Sequence, residues 1–471
     1  MLPMASAVVL LPLYIKDLST AMYGALSVYL VFTILVQLIV TFSFDSSIYI
    51  HYHEFKGDKK KLSVFISSAF VFMILLSIAV GLVLAVTGSL LFGLVLPDKD
   101  ISFYPFGLAS VGSGIFQAIF KVHNSLLQSR EKAETFFWAN VASFTLIAAC
   151  IVVGLDLYPN SLIGPIMGRL VGTILPTLWV LFRVFREFGF HYDFGWLISS
   201  FGFNTYSFIY QLQQWFINQF DRILMLFFLP LADVGIYDFS VKCLIPIELI
   251  MNSLHTTIYP KVVSAVMEQQ DKKSTLAINR YYHGLTAVIM LIVCGSILLL
   301  PIVIQLAIEV LSAKPEYLEA IQYAPYIAGI YFFKTMRLYF AAPYGILKYT
   351  KPLPVIYLVV SAIKIGLIVV LINRFNIYAI IIASFVSAVV EIILLRTRLE
   401  GRFQFKFNLF KIVMAPTILL LLILLLEPWV GRHQPVVVHL SYVIGCAGLL
   451  WWAYRNEIKL INPFSNGPRT A

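Results

Sequence analysis

Charge is what this sequence has least of. Of its 471 residues only 12% are Asp, Glu, Lys or Arg, about half the share of a soluble domain. So few charges cannot cover the surface of a water-soluble chain of this length, so the solvent for most of it is lipid. Cysteine is scarce too. The four present, Cys150, Cys243, Cys294 and Cys446, lie far apart inside apolar stretches. None forms a C-x-x-C pair or a Cys/His metal spacing, so they read as small buried hydrophobes and no metal site is expected. A phosphate-binding loop is also missing. The run Gly57-Asp58-Lys59-Lys60-Lys61 lacks the spaced glycines that cradle nucleotide phosphates. Chemistry driven by ATP is therefore excluded and no cofactor is expected. Acids are outnumbered, 24 against 34 basic residues, for a net charge of +10. In a membrane chain that surplus reads as basic loops held on the cytoplasmic side, not as a nucleic-acid surface.

What the sequence has in abundance is apolar length. Hydrophobic residues make up 60% and the mean hydropathy is +0.87. Apolar stretches of about 20 residues recur, enough to cross a hydrocarbon core as helix. The expected fold class is an all-α integral membrane protein with about 14 transmembrane helices. The first apolar stretch starts at Met1 and is short for a span, which predicts that the natural chain begins upstream. Lys and Arg between the spans are lopsided, 23 on one set of connections and the tail against 5 on the other. That bias predicts that both termini face the cytoplasm.

The chain also repeats itself. Tyr23-Gly24 is echoed by Val234-Gly235, Ser47-Ile48-Tyr49 by Thr257-Ile258-Tyr259, and Asp58-Lys59-Lys60 by Asp271-Lys272-Lys273. The nearly constant separation predicts two six-helix lobes of the same orientation. The expected division is 1–186 for the first lobe, 187–204 for a linker, 205–398 for the second lobe, and 399–471 for two added helices and a cytoplasmic tail. Gly24 and Gly235 are expected at helix starts, where glycine tolerates unusual dihedrals. His51 and His53 suit a loop.

Charges placed inside spans need a reason, because each costs about 2.5–3.5 kcal/mol at the bilayer centre. Lys364 has no acid within a helical turn. Lys334 and Arg337 lie three apart on one helix face, where like charges repel; a carboxylate from another helix or an anionic substrate would settle them. Asp221 and Arg222 are adjacent and point in different directions. Asp238 and Lys242 stand four apart in the order that favours an intrahelical ion pair. Arg169 is expected to line a cavity or to reach outward. The candidate substrate-binding residues are thus Arg222, Lys334, Arg337, Lys364 and Arg169. The candidate ion-coupling or charge-pairing acids are Asp45, Asp221, Glu248 and Glu391. Cations outnumber acids in the spans, which implies a positive lumen and an anionic cargo.

Several stretches resemble the Wzx-like polysaccharide flippases of the multidrug/oligosaccharidyl-lipid/polysaccharide exporter superfamily. They are Leu11-Pro12-Leu13-Tyr14 running on to Gly24, Gln128-Ser129-Arg130-Glu131-Lys132, Phe220-Asp221-Arg222-Ile223-Leu224, Ala232-Asp233-Val234-Gly235-Ile236-Tyr237 and Ile258-Tyr259-Pro260-Lys261. The resemblance implies two lobes around a central cavity that opens alternately to each side of a bacterial inner membrane. The implied cargo is an isoprenoid-diphosphate-linked oligosaccharide, moved from the cytoplasmic to the outer leaflet and passed to polysaccharide polymerase machinery. On the same scaffold the rival is a drug or cation antiporter, which would prefer acids in its cavity. A rival of another class, a membrane glycosyltransferase or polymerase, rests on Asp98-Lys99-Asp100 as a metal-binding turn.

Overall fold

The structure is a computed structural model that describes residues 2–55, 57–95, 101–268, 272–346, 349, 351–399, 408–430 and 436–461. Asp98-Lys99-Asp100 lies outside the described residues. Regular structure among the described residues is entirely helical. In chain order the helices are α1 (Leu2–Asp17), α2 (Thr20–Thr41), α3 (Phe44–Phe55), α4 (Lys59–Val95), α5 (Leu108–Ser129), α6 (Ala133–Leu157), α7 (Ile163–Phe188) and α8 (Phe194–Leu226). They continue as α9 (Leu231–Cys243), α10 (Ile245–Glu268), α11 (Lys272–Val310), α12 (Ala324–Ile346), α13 (Leu353–Phe375), α14 (Ile377–Thr397), α15 (Ala415–Val430) and α16 (Val436–Ile461). The chain is an all-α, multi-pass membrane protein.

Ten helical stretches among the described residues are long and apolar enough to cross a membrane, fewer than the fourteen spans expected. The remaining expected spans fall on α1 and α9, with 16 and 13 residues, and on α8, α10 and α12, which are longer but too polar to meet the same standard. His51 and His53 sit in α3 and not in a loop. The helix holds because Ile48 and Phe44 anchor its apolar face in a core shared with α4, α5 and α7.

Contacts divide the chain into two units, 1–238 and 239–471. In the first, α6 and α7 pack along glycines. A β-carbon at Gly164, Gly168 or Gly172 would lie 2.5–2.8 Å from backbone atoms of Gly154, Cys150 or Ile147. Small residues four apart let two helix backbones touch, which is how helices associate where lipid removes the hydrophobic drive. Gly168→Val is accordingly expected to lower the melting temperature of the purified protein by several degrees. Gly366→Ala, with nothing within 4 Å of the new carbon, is expected to leave it unchanged or slightly raised; equal effects would contradict the backbone contact. The link from α7 to α8 is clamped by α4: Ser67 Oγ donates to Gly189 O at 2.9 Å and accepts from His191 N at 2.8 Å, and Ser68 Oγ accepts from Asp193 N at 2.8 Å. At the start of α4, Asp58 caps the helix by accepting from Lys61 N and Lys60 N. Those bonds hold its carboxyl below the usual carboxylate range.

In the second unit α11 packs against α12, α15 and α16. Helices α15 and α16 are tied together where Lys411 Nζ meets Glu457 Oε1 at 2.9 Å and Tyr454 Oη donates to Lys411 O at 2.8 Å. Tyr344 of α12 donates to Leu395 O of α14 at 2.8 Å.

Candidate functional site

The polar content of the membrane helices points to where function resides. Lipid-facing helices stay apolar, whereas a helix lining a hydrated path or a ligand carries polar groups on that face. The three long helices that fall short of membrane hydropathy, α8, α10 and α12, carry Asp221 and Arg222, Glu248, and Lys334 and Arg337 respectively.

In the first unit, Arg222 and Asp221 on α8 are both met by α9. Arg222 Nε lies 3.2 Å from Asp238 Oδ1, and Arg222 Nη1 donates to Asn218 O at 2.9 Å. The guanidinium sits 5.2 Å above the Tyr237 ring, and Tyr237 Oη donates to Asp221 Oδ2 at 3.1 Å. Asp221, Arg222 and Asp238 are all buried. Asp238 therefore has a partner on another helix that the four-residue spacing to Lys242 did not foresee. The turn after Leu226 folds α9 back along α8, which is why residues far apart on a single extended helix meet here.

Asp45 belongs to a second constellation. The expected second span is broken after Thr41. Phe42 and Ser43 take the left-handed conformation, φ 41° and 57°, and a new helix, α3, starts at Phe44. Asp45 thus stands in the first turn of α3, where the unpaired N–H groups favour a negative charge. Lys121 Nζ of α5 approaches Asp45 Oδ2 at 2.9 Å, and Gln211 Nε2 of α8 donates to Asp45 Oδ1 at 3.3 Å. Lys121 counts among the 23 basic residues assigned to connections and the tail on one side, yet the structure places it within a helix. It lies two turns inside α5, and its nearness to Arg130 and Lys132 in sequence hid this. Glu248 repeats part of the pattern: α9 ends at Cys243, and Glu248 sits in the first turn of α10. Here Pro246 was the readable signal, because proline disfavours helix in the residue before it.

In the second unit, Arg337 on α12 lies 3.7 Å from Glu391 on α14, and Lys334 Nζ lies 4.5 Å from the Tyr331 ring centre. Arg337 keeps 25% of its side-chain surface exposed while Glu391 keeps 5%. A guanidinium has five donors, so one carboxylate at that distance leaves capacity for an anion. Lys364, on α13, is buried. Arg169, on α7, is met by the Tyr14 hydroxyl of α1, and its Nε has no hydrogen-bond partner among the described residues. The structure thus joins Arg337 to Glu391 and groups Asp221, Arg222 and Asp238, while Arg169 is placed beside Tyr14. Groups of three or more His, Cys, Asp or Glu side chains able to hold a metal ion are absent among the described residues.

Against known proteins, residues 2–267 match the family described as polysaccharide biosynthesis protein. A Haemophilus influenzae protein of the Lsg locus is 22% identical over 271 residues, covering 55% of this chain and 62% of that one; the matched region therefore spans less than two thirds of the relative. Among solved structures, the lipid II flippase MurJ in an inward closed conformation superposes with a TM-score of 0.72 at 16% identity, over 97% of each chain. An inward-facing multidrug resistance MATE family transporter of the MOP superfamily gives 0.67 at 13% identity, over 85% of this chain and 94% of that one. These superpositions establish a shared fold.

Proposed function

The chain belongs to the polysaccharide biosynthesis protein family, and from that premise we propose that this flippase-type membrane transporter carries an isoprenoid-diphosphate-linked oligosaccharide. The cargo travels from the cytoplasmic to the outer leaflet of a bacterial plasma membrane by alternating access. Both termini are cytoplasmic, as the Lys and Arg bias between spans supports. The two-lobe division 1–186 and 205–398 belongs to the same reading.

The observation that carries it is the charge balance of α12, α13 and α14. Inside the membrane these helices hold Lys334, Arg337 and Lys364 against one acid, Glu391. Cations inside a membrane call for negative charge near them, and a diphosphate is an anion of suitable charge. Lys334, Arg337 and Lys364 attract the diphosphate, with Glu391 holding Arg337 in place. Arg169, in the first unit, remains a candidate cation for an anionic cargo on its own account. Arg222, already engaged by Asp238, acts in this scheme mainly as a structural cation. The sugar rides in a hydrated path while the lipid tail remains in the bilayer. A drug or cation antiporter would call for the opposite charge balance.

The test is complementation of cells that have lost the gene. Removing one charge-assisted contact is worth about 1.5–3 kcal/mol, so Arg337→Ala and Lys364→Ala are each expected to cut surface polysaccharide at least about tenfold. The amount of protein in the membrane should stay unchanged. Normal surface polysaccharide in both variants would contradict the cation assignment.

A further inference from the structure

The Asp45 constellation holds more polar groups than one ion pair needs. Asp45 accepts from Lys121 and Gln211, and Gln211 Nε2 also reaches Ser46 Oγ at 3.5 Å. Asp45 and Lys121 neutralise each other, so the cluster as a whole does not call for an anion. Yet within about one helical turn of these three residues, on the same elements, stand further polar atoms with no hydrogen-bond partner among the described residues. They are Gln117 Nε2 on α5, and Gln214 Nε2 and Trp215 Nε1 on α8; Ser43 and Ser47, two residues before and after Asp45 in sequence, each add an Oγ of the same kind. All five atoms are buried, and Ser43 and Ser47 are completely so as residues.

Buried polar atoms are nearly always paired, and inside a membrane an unmet donor or acceptor is especially costly. A mixed set of neutral donors and acceptors, on the same stretches of chain as a self-compensated ion pair, matches a ligand whose groups both donate and accept. Sugar hydroxyls do so, and amide-substituted sugars add further groups of the same kind. The left-handed Phe42 and Ser43 point the same way. Non-glycine residues are held in that conformation only when the surroundings compensate, and such positions gather at binding sites. The partial exposure of Lys121, 39% of its side chain, leaves the cluster open at its rim.

We infer that α3, α5 and α8 form a carbohydrate subsite. It recognises the hydroxyl and amide groups of the cargo's sugar. The inference rests on the reading of the cargo as a lipid-linked oligosaccharide. Gln211, Gln214 and Gln117 supply amide contacts, the Asp45–Lys121 pair supplies one strong acceptor and one strong donor, and Trp215 contributes its indole N–H.

The test measures binding to the full-length chain in nanodiscs. The probes are ten-carbon prenyl diphosphates, either sugar-free or carrying one of a panel of neutral hexose and N-acetylhexosamine disaccharides. The wild type is expected to bind at least one disaccharide-bearing probe about tenfold more tightly than the sugar-free probe, the gain from a few neutral hydrogen bonds. Gln211→Ala combined with Gln214→Ala should bring that ratio close to one without changing the sugar-free Kd. A wild-type ratio of one across the panel, with the sugar-free probe still bound, overturns the subsite and leaves the diphosphate reading standing. A ratio that survives in the double variant overturns it as well. If neither kind of probe binds, the cargo assignment falls and the subsite falls with it. Because the wild-type ratio needs no variant, a misfolded substitution cannot blur the result.

Discussion

Arg222→Ala is expected to destabilise the protein by about 3–5 kcal/mol, the cost of breaking a buried ion pair by removing one partner. Asp238 is 3% exposed and Arg222 5%, so neither water nor lipid headgroups can take over for the missing guanidinium. The same substitution deprives the Asn218 carbonyl of its guanidinium donor and the Tyr237 ring of its cation. The expected result is a large drop in the folded, monodisperse fraction recovered in detergent. Replacing both Arg222 and Asp238 by leucine should recover most of that loss, because removing a buried pair together is often neutral. A single variant that folds like the wild type and loses only transport would assign Arg222 to the substrate instead. A double variant no better than the single would show that the pair is not the source of the loss.

The second large effect is expected where α2 crosses α9. A β-carbon on Gly24 would run into Leu231 O and lie 3.0 Å from Gly235 N, while one on Gly235 would run into Thr20 O and lie 3.0 Å from Gly24 N. The contacts are reciprocal, as they must be when two similar helices cross about a local twofold axis. Every atom in the way is backbone, so no rotamer change relieves the clash and the helices themselves must separate. Gly24→Ala and Gly235→Ala are each expected to cost about 1–3 kcal/mol, the range for overpacking. The double variant should cost much less than the sum, since one separation accommodates both carbons. Thermal unfolding of the four proteins gives the cycle. Additive losses would mean that the two glycines act independently and that the crossing is not shared.

These glycines also show how far the sequence could be read. Their matching positions in the repeat were visible, but the reason offered, unusual dihedrals at a helix start, is not the one found. Both lie inside regular helix, and among the described residues Gly189 is the glycine with positive φ. Their role is to let two backbones touch, and such a contact leaves no trace in local sequence beyond the small residue itself. Membrane-embedded charge was legible for a simple reason: an ionisable side chain in an apolar run stands out whatever the fold. Lys334, Arg337, Lys364 and Glu391 were all found this way. Their partners were not, because Glu391 reaches Arg337 across two different helices, and Lys121 reaches Asp45 across a fold that only tertiary packing creates. The break at Phe42 and Ser43 was equally hidden. Neither residue is a glycine or proline, so local preference gave no warning, and burial in the surrounding core overrides it. By contrast, the interruption before α10 carried Pro246 as a marker.

The central claim is transport of a lipid-linked sugar, and reconstitution tests it most directly. The purified chain is placed in liposomes containing a fluorescent isoprenoid-diphosphate sugar on the inner leaflet, and the fraction that becomes accessible outside is followed in time. The account predicts accelerated exposure by the wild type, lost when Arg337 and Lys364 are both replaced by alanine. No acceleration by folded protein, with the fluorescent lipid moving only at the rate of protein-free liposomes, would contradict it.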